Sequence, residues 1–535
     1  MSETIYSRML YIHEFLNEEN YDMTYTLDTS KYIAFQQWSQ NNGCIFSDNI
    51  TFPIAFGPFG YLGVKSLKEI NENEALLFIS KKQMILSEEL KQLYPFISNI
   101  LVNKEDEATL ILTLFLIDED FKGNDSFYKP YLDLFPHVDF IYMWDNSSLQ
   151  LLDDKNIIKS INKFTNDIKE MYLKLIKLSQ YEKLTLEKFQ FYYFHVLSRK
   201  FYIDDTCTAL FPLAELFNHE NVNTKFEFFD SENFVYKNTE SFSNKNTEFI
   251  QTTKSDIIPV NNISYNPNEE LENPDDNDSS IEENLIHIKE NDYFVISTSN
   301  GQLFTKGEQC FIKYCQLSNK KELVHYGFNS LINEDDSTIF YINIDKNDKG
   351  LTSYMEKCFS KHLNNNTLKI KVKFRKVCDL LLKYFRVLYF YSQNPSRDEP
   401  PFYTFQKDIE LKILDQSIEI LTGKLNELNS RYHLEKDLEC LEEEMNMNDF
   451  KKMNQRDMNI IIYRIRKRVN LAHQIDLMKC IREEIKKRDN VKDYLLITNS
   501  IIKSKNISEY DDDSNSIKKI LKFIGNQPVN FNLKY

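Results

Sequence analysis

Residues 211–219, FPLAELFNH, run apolar and then close on an amide and an imidazole, Asn218 and His219. Both side chains offer hydrogen-bond donors and acceptors. In β-rich regions such groups are mostly satisfied by the protein itself; the other outlet is a bound ligand. A second stretch, residues 307–328, GEQCFIKYCQLSNKKELVHYGF, puts Tyr314 at the end of a strand pattern and Tyr326 beyond a helix opening at SNKKEL. Metal and disulfide chemistry fit the sequence poorly: Cys44, Cys207, Cys310, Cys315, Cys358, Cys378, Cys440 and Cys480 are scattered, with no CxxC pair and no close Cys/His set.

The flanking periodicity shows what would hold these residues. TKFEFFDSENFVY (224–236) and DYFVISTSNGQLFTKGEQCFIKY (292–314) alternate apolar and polar side chains and are expected to pair. Between them, residues 237–290 are dominated by Asn, Asp, Glu, Ser and Thr, too polar to offset the entropy of ordering, so a disordered insertion is expected. YLGVKSLKEINENEALLFIS (61–80) predicts two short strands joined by NENE. EDEATLILTLFLIDEDFK (105–122) predicts a buried helix, and GNDSFYKPYLDLFP (123–136) a loop with aromatic anchors rather than a regular element. LTLEKFQFYYFHVLSRKF (184–201) predicts a helix ending near Arg199, weakly capped because a lysine stands three residues after Thr185. Beyond Gly350 the period turns helical. Leu411, Leu414, Ile418, Leu421, Leu425 and Leu428 form a stripe expected to pack inside a helical domain rather than along a partner, since the heptads last only about three repeats.

At 535 residues the chain is expected to form two or more domains. A net charge of -16 argues against a general nucleic-acid binder and favours a basic substrate. The start, MSETIYSRMLYIHEFLNEEN, lacks a secretory layout, and no stretch approaches 18 uninterrupted apolar residues. The expectation is a soluble monomer in the cytoplasm, the nucleus or both, with no membrane contact. RIRKR (464–468) reads as a nuclear signal or, more commonly for such runs, the basic face of a solvated helix.

Taken together, these motifs resemble the SET-domain protein methyltransferases, in the branch of the Rubisco large-subunit lysine methyltransferase and the actin-histidine methyltransferase. PLAELFNH and GEQCFIKYCQLSNKKELVHYGF resemble that branch's donor segment and catalytic segment. GYLGVKSLKEINENEALLFIS, DSFYKPYLDLFP and VLSRKF resemble three further motifs in the same order. The likeness spans roughly residues 40–500, leaving out 237–290.

The resemblance implies an α+β fold: small SET-type sheets with a knot-like crossing and a helical insert, followed by an all-α domain. It divides the chain into an N-terminal helical segment (1–39), a SET domain (40–345, with the helical insert at 101–200), a helical substrate-binding domain (346–500) and a polar tail (501–535). It implies S-adenosylmethionine as methyl donor, a protein as substrate and no metal. Gly63, Lys65, Phe127, Arg199, Glu215, Asn218, His219 and Tyr314 would surround the donor. Arg199 would reach its carboxylate, Gly63 would allow close backbone approach and Phe127 would contact the adenine. Tyr314 would be catalytic, Tyr326 would share its channel, and Phe201 would line the substrate side. Lys65 stands where the branch often has arginine, Glu215 where it has aspartate, and Cys315 where it has glycine. Phe201 resembles the lysine-modifying members, whereas the histidine-modifying members carry an amide there. A lysine acceptor is therefore expected, ahead of a histidine acceptor or an inactive scaffold that binds partners.

Overall fold

The computed structural model describes residues 3–203, 207–229, 258–259, 292–393, 407–446 and 453–487, apart from 21–22, 25–26, 346 and 375. Its fifteen described strands form four small sheets. One runs in the order β1-β4-β11-β9-β10, with β1 at Ile45–Phe46, β4 at Ala75–Ser80, β9 at Thr224–Phe229, β10 at Ile258–Pro259 and β11 at Tyr293–Thr298. The second, β2-β3-β12-β8, contains Ile50–Phe56, Tyr61–Ser66, Gln309–Ile312 and Asn218–His219. The third joins β5 (Ile85–Leu86), β7 (Thr208–Leu210) and β6 (Phe201–Tyr202). The fourth, β13-β15-β14, contains Ser337–Asn343, Thr367–Lys373 and Leu363–Asn364.

As alternation predicts, β9 and β11 pair antiparallel from Tyr293 opposite Phe229 to Thr298 opposite Thr224. Within the polar segment between them, Ile258 and Pro259 pair with Phe228 and Glu227. The remainder of 237–290, expected to be disordered, lies outside the described residues, as does the tail 501–535. The strands flanking NENE both form, yet in different sheets: β3 lies between β2 and β12, β4 between β1 and β11.

Helices of eleven residues or more are numbered α1 to α10. They are α1 (Glu3–Leu16), α2 (Ser30–Asn41), α3 (Glu107–Phe121), α4 (Lys155–Leu175), α5 (Leu186–Arg199), α6 (Lys349–Phe359), α7 (Asp379–Gln393), α8 (Lys407–Arg431), α9 (Leu434–Asn446) and α10 (Gln455–Lys486). Helix α3 buries Leu110, Ile111, Leu112, Leu114, Leu116 and Ile117, which point in all directions around it, so it runs through the core as its composition predicts. The cap of α5 is sound: Thr185 Oγ1 accepts the Lys188 backbone N–H at 3.2 Å. That bond needs only a main-chain donor, so the identity of the third residue does not weaken it. The segment 123–136 is not purely loop, because Gly123–Asp125 and Lys129–Leu132 each form one helical turn. Pro130 is tolerated there because first-turn N–H groups have no intrahelical partner.

The carboxy-terminal region is helical but not all-α. Leu368, Ile370 and Val372 alternate with lysines in TLKIKVK, and this period of two makes β15, which pairs with β13 along its whole length. The stripe on α8 packs, as expected, within the chain: Leu414 and Leu421 are buried beside Leu471, Met478 and Ile481 of α10.

RIRKR is neither a solvated face nor an exposed signal. Arg464 forks onto Asp437, and Arg466 and Arg468 are each only 1% exposed. Arg468 donates to Tyr432 O, just past the end of α8, and to Leu428 O, which also accepts the Tyr432 backbone N–H. Helix α10 packs against α8, α9, β13 and β15, so Arg464, Arg466 and Arg468 face protein. No described helix is long and apolar enough to cross a membrane.

Candidate functional site

A cavity of about 540 Å³ opens where β3, β8, the end of α5 and the segment after β12 meet. Arg199, Phe201, Glu215, Asn218, His219, Tyr314 and Tyr326, from four separate stretches of chain, all line it. The strand order explains the convergence. β12 is antiparallel to β3 on one side and parallel to β8 on the other, which sets Phe311 opposite Asn218 and Ile312 opposite His219.

Asn218 is held by Nδ2 donating to Leu62 O at 3.1 Å. Behind it lies Gly63, where a Cβ would stand 2.8 Å from Asn218 Nδ2 and 2.5 Å from Gln309 Nε2. Gly63 therefore permits a close approach, as the motif implies, but of Asn218 rather than of the cavity, which it does not line.

His219 Nδ1 accepts the Tyr314 backbone N–H at 3.0 Å. Burial pushes the imidazole down to about 4, so at neutral pH it is uncharged with its proton on Nε2. The Tyr314 hydroxyl donates to Phe217 O at 2.8 Å, and burial raises its pKa, keeping it a phenol. Its ring lies 5.0 Å from both His219 and Tyr326, and Phe328 closes the cluster at 6.1 Å from each of those two. Cys315 is not among the described non-glycine residues at positive φ, so replacing glycine there causes no backbone strain.

Arg199 ends α5 over the Phe135 ring. Its Nη1 donates to His195 Nδ1 at 2.6 Å, and its Nε lies 3.2 Å from Glu215 Oε2. Nη2 donates to no described residue. Glu215 also accepts the Tyr131 hydroxyl at 2.6 Å. Burial pushes Glu215 up to about 8, against the opposing pull of Arg199 and Tyr131.

A carboxyl raised in the folded state contributes stability that is complete below its ordinary pKa of 4.5 and lost as pH rises through about 8. Chemical denaturation is thus expected to show the share due to Glu215 falling across that window, against His195, His219 and His325, whose lowered pKa values make stability rise with pH up to about 6.5. Glu215→Gln should remove its share of the fall, while Glu322, which burial also raises to about 8, keeps its own. An unchanged slope in Glu215→Gln would contradict the assignment.

Two predicted donor residues lie elsewhere. Lys65 Nζ pairs with Glu19 Oε2 at 2.7 Å, because the alternation of β3 turns it toward the N-terminal segment. Phe127 is exposed, edge-on to Trp38 and Tyr128, and does not line the cavity. The sequence reading also missed two walls: His13, Leu16 and Asn17 near the end of α1, and Gln455, Met458 and Asn459 at the start of α10. Arg8 clamps α1 onto α9 through Glu435 and Glu442 at 2.5 Å each, and residues of α1 and α10 both line the cavity. Among the described residues no group of three His, Cys, Asp or Glu could hold a metal.

Small sheets, a helical insert and a helical carboxy-terminal region match the SET-domain methyltransferase fold. More particularly it is the fold of the Rubisco large-subunit methyltransferase, LSMT. The SET domain of LSMT bound to lysine and AdoHcy matches with a TM-score of 0.53 at 17% identity, over 89% of this chain and 96% of that one. Rubisco LSMT bound to AdoMet matches at 0.52 and 18%, over 87% and 95%. Rubisco LSMT bound to sinefungin and monomethyllysine matches at 0.53 and 18%, over 89% and 99%. No protein-family model matches the chain, and no curated protein matches it.

Proposed function

We propose that this chain is an S-adenosylmethionine-dependent protein-lysine N-methyltransferase. The observation that carries the reading is the locking of Asn218-His219 to Tyr314, with Tyr326 beside it, on the wall of one cavity. The residues present suit the donor. The volume falls in the usual range of about 300–1,000 Å³ for small-ligand sites. The uncommitted Nη2 of Arg199 suits a carboxylate, and neutral Glu215 leaves the guanidinium charge available to it. When bound, the donor supplies an activated methyl group on a sulfonium.

The acceptor nitrogen must arrive unprotonated and in line with the methyl carbon. A free lysine has a pKa of about 10.4, and the buried cluster of His219, Tyr314, Tyr326 and Phe328, with Arg199 nearby, disfavours the ammonium by desolvation and like charge. With the donor held beside Arg199, its methyl would pass to the nitrogen lone pair, the C–S electron pair would stay on sulfur, and the proton of the resulting alkylammonium would leave to solvent. Phe201, packed against Phe211, Phe226 and Phe294, gives the substrate side an apolar wall suited to a lysine stem. The helical region, whose α10 reaches the cavity, would dock the protein substrate.

The test is transfer of labelled methyl groups from S-adenosylmethionine to proteins of a source extract, followed by acid hydrolysis and amino-acid analysis. Labelled methyllysine is expected. Methylhistidine would move the assignment to the histidine acceptor, and no transfer by folded protein would overturn the enzyme reading.

A further inference from the structure

His195 stands one helical turn before Arg199 on α5, wholly buried and without lining the cavity. Its Nε2 lies 2.9 Å from Pro136 O, and a carbonyl oxygen only accepts, so Nε2 carries the proton and donates. Nδ1 therefore keeps its lone pair, and it is this atom that accepts from Arg199 Nη1 at 2.6 Å. The imidazole is stacked on Phe135 at 4.8 Å and crossed by Phe191 at 4.5 Å and Phe140 at 5.5 Å, which leaves the ring one orientation. The Phe135 ring also underlies the guanidinium, 5.3 Å from its central carbon.

Arg199, by contrast, lines the cavity with a side chain that is 19% exposed. Glu215 holds its Nε and His195 holds its Nη1, so rotation about the Cδ–Nε bond would carry Nη1 away from His195. The fork is thereby fixed in one plane, with Nη2 left over. A carboxylate in the place of His195 would be the stronger partner for a guanidinium, but it would also cancel the charge. An imidazole that only accepts holds the fork and leaves the charge intact.

We infer that His195 is a positioning residue for the methyl donor: it aims the Arg199 guanidinium at the donor's carboxylate while leaving its positive charge uncancelled. The inference rests on the methyltransferase reading above and deepens it. A carboxylate entering the cavity meets a cation that is already oriented, so less freedom is lost on binding. An adenosine derivative without a carboxylate gains nothing from that orientation.

The experiment is calorimetric titration of the full chain with S-adenosylhomocysteine and with 5′-methylthioadenosine, which keeps the adenosine and the thioether but has no carboxylate. In His195→Leu, S-adenosylhomocysteine should bind about tenfold more weakly, as loss of one hydrogen bond to a charged group predicts, while 5′-methylthioadenosine should bind as in the wild type. His195→Asn sets an acceptor oxygen near the place of Nδ1 and should recover most of the lost affinity. In an Arg199→Met background, His195→Leu should weaken S-adenosylhomocysteine no further, since the residue acts through Arg199. Circular dichroism checks that each variant folds; if His195→Leu does not, His195→Met carries the same expectation. Equal weakening of both ligands would mean that the ring only packs α5 and would overturn the inference, as would His195→Asn binding no better than His195→Leu or a further loss in the Arg199→Met background. Failure of the wild type to bind S-adenosylhomocysteine would instead overturn the methyltransferase reading and the inference with it.

Discussion

Tyr314→Phe is expected to lower the rate of methyl transfer by about 10²- to 10³-fold, the usual effect of removing one aligned donor from a reacting centre. Affinity for the methyl donor should change by less than about threefold, because the lost bond is a single hydrogen bond worth about 1 kcal/mol net or less. The ring would keep its place, since its packing against His219 and Tyr326 and its backbone bond to His219 do not involve the hydroxyl. What disappears is the hydroxyl itself and its bond to Phe217 O, the carbonyl immediately before Asn218. Single-turnover rates beside donor titrations separate the two effects. An unchanged rate would remove Tyr314 from the chemistry, and lost donor affinity would make it a structural strut.

Arg466→Met is expected to cost about 3–5 kcal/mol of stability, as when one partner of a buried ion pair is removed. Arg466 lies 3.2 Å from Asp336 Oδ2 and donates to Asn333 O at 2.6 Å. Asp336 holds the Asn319 backbone N–H, while Asn333 reaches Leu317 O, Asn319 and Glu322. That network frames residues 317–336, the stretch that contains Tyr326. The loss should therefore reach activity as well as denaturation midpoint. Asp336→Asn combined with Arg466→Met should recover part of the stability by removing the stranded charge. A single mutant within about 1 kcal/mol of wild type, the ordinary effect of a surface substitution, would refute the framing role.

What the sequence made legible follows from what local periodicity encodes. Alternation across a polar insertion was enough to pair β9 with β11, and a residue-by-residue resemblance brought Arg199, Glu215, Asn218, His219, Tyr314 and Tyr326 to one cavity. Lys65 and Phe127 went astray because their side-chain directions depend on partners, Glu19 and Trp38, that no local spacing announces. The walls from α1 and α10 were invisible for the same reason: His13 and Asn459 are far apart in sequence and line one cavity only through tertiary packing. RIRKR misled because charge was taken as a sign of solvent, whereas α10 spends its arginines on Asp336, Asp437 and the carbonyl end of α8. The alternation in TLKIKVK was available, and β15 could have been found from it.

The measurement that bears most directly on the central claim is calorimetric titration of S-adenosylmethionine into the wild-type chain and into Asn218→Ala, with circular dichroism of both. The Nδ2 bond from Asn218 to Leu62 O shapes the cavity edge between β3 and β8. The account predicts saturable binding to the wild type and its loss in a variant that remains folded. Folded wild type that fails to bind, or equal binding by the two proteins, would contradict it.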